Sequence, residues 1–458
     1  MNKIVNLDIK LTKPSLLKFA FPGIIMVLIN SLYEIIDGFF VSNYVGADAF
    51  AAINTAFPPL IFLSSIGMMI GAGGSTLIGN KLGEGDSRSA NKYFSLLIYF
   101  AFLVGIIVSI IAFVFCRPVI EIMGAKDQVL DISVYYCRVS SISLTGYIIM
   151  MAFTSFVSAS GKPIIGFVMS IIGLVVVTSF DFIFTVIFKL GINGILIGTL
   201  SSEILSASFV LFYYSCKKNT SMIRIVSLKN CLDLKNTTPI NVIGRACYIG
   251  IAGMLQAMTS NLVVMVTIFQ INKYIGNQGV VAYGVIEYAW TTFNCFNYGF
   301  AFAIAPVMSY FQGNKNYKNA QLLFKNSIMI ILIFGVISFC VSQILAKYLV
   351  MIFVGYDDSL IDISLYALRA CSISFLYVGI PIYSSSLFTS LGNGTISSVI
   401  AITRTVVLEL LFLFILPVIF GGNGIWFCYP SSEFLASILS IILICVFASK
   451  YKIVRVKK

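Results

Sequence analysis

The sequence contains no histidine, and charged residues make up only 10% of the chain. The absence of histidine excludes histidine-based acid–base catalysis, histidine metal ligands and a histidine proton relay. Any proton chemistry must therefore use carboxylates, with tyrosine or lysine in support. The cysteines are scattered without a Cys-x-x-Cys pair, which favours a role as small apolar packing residues. We predict no catalytic centre, no cofactor and no bound metal.

Apolar residues, in contrast, are abundant. Hydrophobic side chains account for 59% of the 458 residues, and the mean hydropathy is +0.98. A soluble protein of this length cannot hide so much apolar surface. Long apolar runs with rare charges are typical of membrane-spanning helices rather than of a β-barrel. The composition therefore predicts an all-α polytopic membrane protein, in contact with membrane lipid.

Twelve apolar runs are each long enough to span a bilayer, which requires about 20 residues. Charged residues, glycine and proline separate them. The predicted spans lie at roughly 15–40, 52–80, 93–115, 131–155, 163–187, 193–216, 243–271, 279–311, 322–345, 361–389, 396–419 and 424–449.

The positive charges are distributed unevenly between the two sides of these spans. Most of the 30 lysines and arginines fall in the two tails, the central linker and every second loop. The positive-inside rule then predicts a multi-pass protein of the inner (cytoplasmic) membrane with both termini in the cytoplasm. This topology explains the formal net charge of +12 better than a nucleic-acid partner does, so we expect none.

The chain is also an internal repeat. A shift of 230 residues brings the Asn-Gly-Ile run at 193–195 onto 423–425 and the Ser-Ser-Glu run at 201–203 onto 431–433. Earlier in the repeat the offset is 231, where Gly161 meets Gly392. Each half has an even number of spans and therefore the same orientation, which predicts a parallel repeat with a pseudo-two-fold axis along the membrane normal.

The repeat predicts an N-terminal six-helix lobe at 1–216, a cytoplasmic linker at 217–242 and a C-terminal six-helix lobe at 243–458. Two similar bundles leave a cleft between them, and rocking one against the other opens that cleft to alternate sides of the membrane. A chain with two fused bundles and only a structural role remains an alternative.

Ionisable residues inside spans are costly and are candidates for function. Tyr33 and Asp37 are four residues apart, so they share one face of the first span. Asp181 lies deep in the fifth span among Phe and Ile, with no lysine or arginine within a turn. Both carboxylates are therefore candidates for reversible binding of a proton or another cation, with local hydrogen bonding at the water interface as the alternative for Asp37.

Glu287 lies in the eighth span beside Tyr288 and Trp290, a combination that suits a large aromatic cation by charge and ring contact together. A hydrogen-bonded glutamate at a helix end is the alternative. Met68 and Met151 could line an adaptable substrate cavity, although ordinary core packing explains them equally simply.

Glu203 and Glu433 occupy the same position in the two halves. This favours a shared structural role, such as a hydrogen bond to a neighbouring helix. Glu409 lies five residues after Arg404 and roughly on the same helix face, so an ion pair between them is conceivable.

The opening of the chain resembles a known family. The residues that carry the resemblance are Asp37-Gly38-Phe39-Phe40-Val41, Tyr44-Val45-Gly46-Ala47-Asp48 and Gly79-Asn80-Lys81-Leu82-Gly83. They are similar to those of the multidrug and toxic compound extrusion (MATE) family, within the multidrug, oligosaccharidyl-lipid and polysaccharide exporter superfamily. The resemblance covers essentially the whole chain.

The resemblance implies drug export driven by a proton or sodium gradient. In the bacterial branch it implies a coupling-ion cluster in the N-terminal lobe, formed here by Tyr33, Asp37, Asp181 and Thr199. The sequence departs from that pattern at Val177, where the family often has asparagine. Another branch places its coupling acids in the C-terminal lobe, where Glu287 could serve, and the choice between H⁺ and Na⁺ stays open.

We therefore expect a secondary active multidrug efflux transporter rather than an enzyme. It would act as a monomer and export small organic cations and other drugs by alternating access and antiport. A flippase for lipid-linked oligosaccharides or polysaccharides, from the same superfamily, is the main alternative, but it often has more spans and a strongly cationic cavity. A membrane enzyme is the third class, and the sequence offers it neither histidine nor a nucleotide motif.

Overall fold

The computed structural model describes residues 11–122, 127–216, 220–234, 237–354 and 358–453, and all regular secondary structure in these ranges is helical. The first half of the chain forms seven α-helices: α1 (Lys13–Phe40), α2 (Ala47–Gly83), α3 (Ser87–Ile122), α4 (Asp127–Ser140), α5 (Leu144–Ala159), α6 (Pro163–Phe180) and α7 (Ile192–Ser215).

A short helix, α8 (Leu228–Leu232), follows in the linker. The second half then forms α9 (Pro239–Tyr274), α10 (Asn277–Gly313), α11 (Tyr317–Val354), α12 (Asp358–Cys371), α13 (Gly379–Ser390), α14 (Gly394–Ile402), α15 (Glu409–Phe420) and α16 (Cys428–Phe447). Wider π-helical turns follow α1, α6 and α14, at Val41–Val45, Asp181–Ile187 and Thr403–Leu408.

Eight helical segments among the described residues are long and apolar enough to cross a membrane, and the number rises to ten if each of two bent pairs is one crossing. The bent pairs are α4 with α5, at 64°, and α12 with α13, at 41°. One of the eight segments, Gly394–Phe447, has 54 residues, or about 80 Å of helix, so it crosses twice and turns at Gly421–Phe427. The more polar α10, with 37 residues, completes the predicted twelve-span fold, which is confirmed.

The repeat is visible in the backbone as well as in the sequence. Gly46 and Gly276 have φ values of 121° and 87°, and Gly191 and Gly421 have φ values of 58° and 62°. Each pair is separated by 230 residues and lies just before a helix or a helical turn. A side chain is disfavoured at positive φ, so glycine is retained where both halves make the same turn.

The segment between the lobes packs against the N-terminal lobe. The backbone N–H groups of Arg224 and Val226 donate to Asn91 Oδ1 and Ser95 Oγ of α3, each at 2.8 Å. The hydroxyl of Tyr99 donates to the carbonyl of Val226 at 3.1 Å. The described part of the linker is therefore held along α3 rather than forming a loose tether. Helix α9 begins at Pro239, inside the region predicted as linker.

The lobes meet where small residues let backbones approach. A Cβ atom at Gly73 of α2 would overlap the carbonyl oxygen of Ala246 in α9, and one at Gly83 would overlap that of Tyr310 in α10. Gly250 of α9 approaches α2 in the same way. These contacts lie towards the end of α2 and the start of α9, the side of the molecule on which both termini were predicted. The lobes are thus packed together on that side.

Candidate ion and substrate sites

A cavity of about 140 Å³ lies inside the N-terminal lobe, in the helix halves remote from those inter-lobe contacts. We call it the N-lobe cavity. Its lining is Asn30, Tyr33, Asp37, Gly38, Val41, Ile53, Phe57, Leu60, Ile61, Tyr136, Ser140, Leu144, Tyr147, Met150, Met151, Ser170, Gly173, Thr199 and Glu203. Two carboxylates lie among these residues, and none of them is basic. The cavity combines negative charge with aromatic and thioether surface.

Helical periodicity explains which polar groups reach this cavity. Tyr33 and Asp37 are four residues apart on α1, and Thr199 and Glu203 are four apart on α7, so each pair presents one face of its helix. The prediction that Tyr33 and Asp37 share one face of the first span is therefore confirmed, since both line the cavity. Thr199 is 9% exposed, so its hydroxyl lies at the cavity wall and not in open solvent.

Asp181 approaches the same cluster from behind the cavity wall. It is fully buried at the start of the π-helical turn Asp181–Ile187. Its carboxylate packs against Gly198 of α7, where any Cβ atom would overlap Oδ1. The carboxyl groups of Asp181 and Asp37 are electrostatic neighbours, and Thr199 is a further polar neighbour of Asp37. The structure thus brings together all four residues predicted to carry the coupling ion.

Several polar atoms of this cluster can form further hydrogen bonds. Among the described residues no partner of normal geometry reaches Asp37 Oδ1, either carboxyl oxygen of Asp181, or the hydroxyls of Tyr33 and Thr199. Glu203 adds a third acid, with Ser143 and Asp37 as its neighbours. Like charges this close repel strongly in an apolar interior, so a proton or a small cation would stabilise them. The role of each residue in ion binding stays a prediction.

The C-terminal lobe contains a second acidic site with a different construction. Tyr429 Oη donates to Glu287 Oε1 at 2.9 Å and lies 3.0 Å from the hydroxyl of Tyr283. The ring of Trp290 stacks on Tyr429 with centroids 5.0 Å apart. Trp290 and Glu287 therefore do share an aromatic cluster. Tyr288 projects from another side of α10 and is 43% exposed, because adjacent helical residues diverge by about 100°.

This lobe also contains a buried ion pair. Its partners differ from those that the sequence suggested. Arg404 Nε is 2.8 Å from Glu433 Oε1 and 2.9 Å from Oε2, and both side chains are buried. Arg404 therefore pairs with Glu433 of α16 and not with Glu409, which remains only an electrostatic neighbour. The shared structural role expected for Glu203 and Glu433 fits Glu433, whereas Glu203 lines a cavity.

The two methionines proposed for a substrate cavity are separated. Met151 lines the N-lobe cavity next to Met150. Met68 lies on α2 at the lobe interface, where its carbonyl oxygen is 3.9 Å from the Cβ position of Gly253 in α9. Within the described ranges, no group of three or more His, Cys, Asp or Glu side chains is arranged to hold a metal ion.

Comparisons with known proteins agree with this architecture. A family model described as MatE matches residues 22–183 and again 253–415, which is once in each half. The multidrug export protein MepA of Staphylococcus aureus is 24% identical over 94% of this chain and 93% of its own length. MepA of Staphylococcus haemolyticus is 22% identical, over 94% and 92%.

A solved structure shows the same fold. It is the outward-facing conformation of a multidrug resistance MATE family transporter, which superimposes with a TM-score of 0.89 at 18% identity and covers 96% of each chain.

Proposed function

Because this chain belongs to the MatE family, whose members are transporters and not enzymes, we propose that it exports small organic cations and other drugs. Export would be antiport, in which each transported compound exchanges for a proton or a sodium ion. The similarity to the MepA multidrug export proteins supports a multidrug substrate range. The proposed location is the inner (cytoplasmic) membrane, with both termini in the cytoplasm and the chain acting as a monomer.

The acidic lining of the N-lobe cavity carries this proposal. Asp37 and Glu203 line a space to which the described part of the chain contributes no basic side chain, and Asp181 lies behind it. An ionised acid cluster in an apolar interior is stabilised by a bound cation. The coupling ion and a cationic compound would therefore compete for the same carboxylates. Competition of this kind is what antiport requires, because binding of one cation must favour release of the other.

The arrangement of the lobes supports alternating access. The lobes pack together on one side through the glycines at 73, 83 and 250, and the N-lobe cavity lies in the opposite half of the bundle. Rocking would separate those glycine contacts and expose the substrate to the other side of the membrane.

The cavity chemistry argues against the flippase alternative. A lipid-linked oligosaccharide carries anionic phosphates, which basic side chains would be expected to bind. The N-lobe cavity offers carboxylates, tyrosines and methionines instead. No feature of the described residues favours the flippase over the exporter.

The proposal can be tested in proteoliposomes loaded with a permanently cationic fluorescent dye. A proton gradient and a sodium gradient are imposed separately, and the dye flux is recorded for each. We expect one gradient to drive dye movement against its concentration and the other to have little effect. Liposomes containing an Asp37→Asn variant serve as the matched control. The proposal would be contradicted if the dye flux were the same with a proton gradient, with a sodium gradient and with no gradient, and the same again for the variant.

A further inference from the structure

The C-terminal lobe has almost no space at the position where the N-terminal lobe has its cavity. A cavity of only about 10 Å³ lies there, and its lining includes Thr267, Tyr283 and Tyr429. A shift of 230 residues brings these onto Asp37, Ile53 and Thr199, which line the N-lobe cavity. Tyr283 and Tyr429 are larger than their counterparts Ile53 and Thr199, and they fill the repeat-related space.

The same comparison places a positive charge at an equivalent position. At the offset of 231 that relates Gly161 to Gly392, Arg404 corresponds to Gly173. Gly173 lines the N-lobe cavity together with Glu203, and Arg404 is paired with Glu433, the counterpart of Glu203. Glu203 thus has an open cavity beside it, whereas its counterpart Glu433 has the guanidinium of Arg404 beside it.

We infer that Arg404 is a tethered cation, which occupies permanently the C-terminal equivalent of the site where the N-terminal lobe accepts an exchangeable small cation beside Glu203. The inference rests on the proposed function in one respect, namely that the N-lobe cavity exchanges its cation. It assigns a cation site to Glu433, with the chain's own guanidinium as the ligand.

The surroundings of Arg404 fit a fixed ligand. Its Nη1 is 3.5 Å from Tyr298 Oη, which also accepts a hydrogen bond from Gln256 at 2.7 Å. Glu409 is a second acidic neighbour. The guanidinium is therefore bonded to one carboxylate and lies near a hydroxyl group and a second carboxylate. A fixed charge at this point keeps the Glu433 site neutralised throughout the transport cycle, so this site does not exchange a cation.

The test is to remove the tethered cation and supply a free one. Arg404→Gly copies the residue at position 173 and opens the space beside Glu433. Thermal unfolding of the purified full-length protein is then measured in millimolar guanidinium chloride, in sodium chloride, and in choline chloride at equal ionic strength. Choline controls for ionic strength, because it lacks N–H donors and is larger.

We expect Arg404→Gly to unfold at a lower temperature than the wild type, and guanidinium to raise its midpoint saturably by roughly 2 °C or more. The wild type should gain less, because only its N-lobe cavity is open to a free cation. The double variant Arg404→Gly/Glu433→Gln, which lacks both charges, should gain no more from guanidinium than the wild type does. Arg117→Gly breaks an exposed ion pair with Glu121 and should gain nothing specific from the cation.

The inference is also supported if folded Arg404→Gly protein can be purified in guanidinium chloride but not in choline chloride, because the free cation then replaces the missing side chain. It is overturned if guanidinium and sodium stabilise Arg404→Gly no more than the wild type. It is also overturned if the single variant fails to fold in guanidinium while the double variant folds. The measurement involves no transport, so failure of the gradient experiment above would refute the proposed function without deciding whether this site binds a cation.

Discussion

Asp37 and Asp181 approach each other from α1 and from the turn after α6, and none of the described residues that line the adjoining cavity is basic. Each would be destabilising as an isolated charge, since an ionised carboxylate in an apolar interior loses its hydration. In the proposed mechanism, a cation bound beside the two carboxylates offsets this cost. Ion coupling would then depend on both acids, so a single substitution at either position tests it.

Asp37→Asn and Asp181→Asn are each expected to lower gradient-driven efflux by roughly tenfold or more, because the amide cannot exchange a cation. Both proteins should still be inserted and folded, since asparagine preserves the shape of the side chain. Efflux is measured at matched expression, with Asp131→Asn, an exposed carboxyl on α4, as the control. Normal efflux by both variants would remove these acids from the coupling site.

Glu287→Gln is expected to change the substrate range more than the coupling, because Glu287 and Trp290 both contact Tyr429, one by a hydrogen bond and one by ring stacking. Export of cationic dyes should fall several-fold relative to neutral ones. Tyr429→Phe removes the hydrogen bond but keeps the charge, so it should have a smaller effect. An equal loss for both dye classes in Glu287→Gln would assign Glu287 to coupling or structure instead.

At the scale of helices, glycine sets how closely the lobes can pack. Gly250 of α9 approaches α2 so closely that no Cβ atom fits, whereas a Cβ atom at Gly244, six residues earlier, would meet no atom of another element within 4 Å. The two positions share one helix and differ only in what lies opposite. They offer a matched comparison of inter-lobe contact.

Gly250→Ala should destabilise the state in which the lobes touch on this side, by about 1–3 kcal/mol, because the methyl group forces α2 and α9 apart. We expect slower efflux and a lower unfolding midpoint. Gly244→Ala should leave efflux unchanged and stabilise the helix slightly, by up to about 1 kcal/mol. Similar effects of the two substitutions would show that this contact does not control the conformational cycle.

Helix number and the repeat could be predicted from the sequence because both depend on patterns that extend over many residues. The pairing of Tyr33 with Asp37 followed from helical periodicity alone. The partner of Arg404 could not be predicted in that way, since Glu433 lies on a different helix 29 residues away. The π-helical turn that positions Asp181 has no marker in the sequence, and the segment after α7 has no apolar periodicity to indicate that it packs against α3.

At the scale of the whole molecule, the proposed mechanism requires the two lobes to move relative to each other so that substrate changes sides. Ser31 of α1 and Cys295 of α10 lie across the interface, with Oγ and Sγ 3.6 Å apart. A bond between these positions would join the two lobes near the middle of both helices. Rigid attachment there should be incompatible with rocking.

Ser31→Cys, with the other native cysteines replaced by serine, should form a disulfide with Cys295 under mild oxidation. Efflux should then fall to the level of protein-free vesicles and return on reduction. The same protein with Cys295→Ser cannot form this bond and should be unaffected by oxidant. Full activity with complete crosslinking would mean that these helices do not move apart, and lobe rocking would have to be abandoned.

In the proposed mechanism, substrate and coupling ion compete for the acids of the N-lobe cavity. Ion release on substrate binding measures this directly, using purified protein in weakly buffered solution with a pH indicator, or loaded with radioactive sodium. Adding a cationic substrate should release protons or sodium ions from the wild type in proportion to the protein present, and none from Asp37→Asn/Asp181→Asn. Substrate binding without ion release, or equal release from the double variant, would contradict the account.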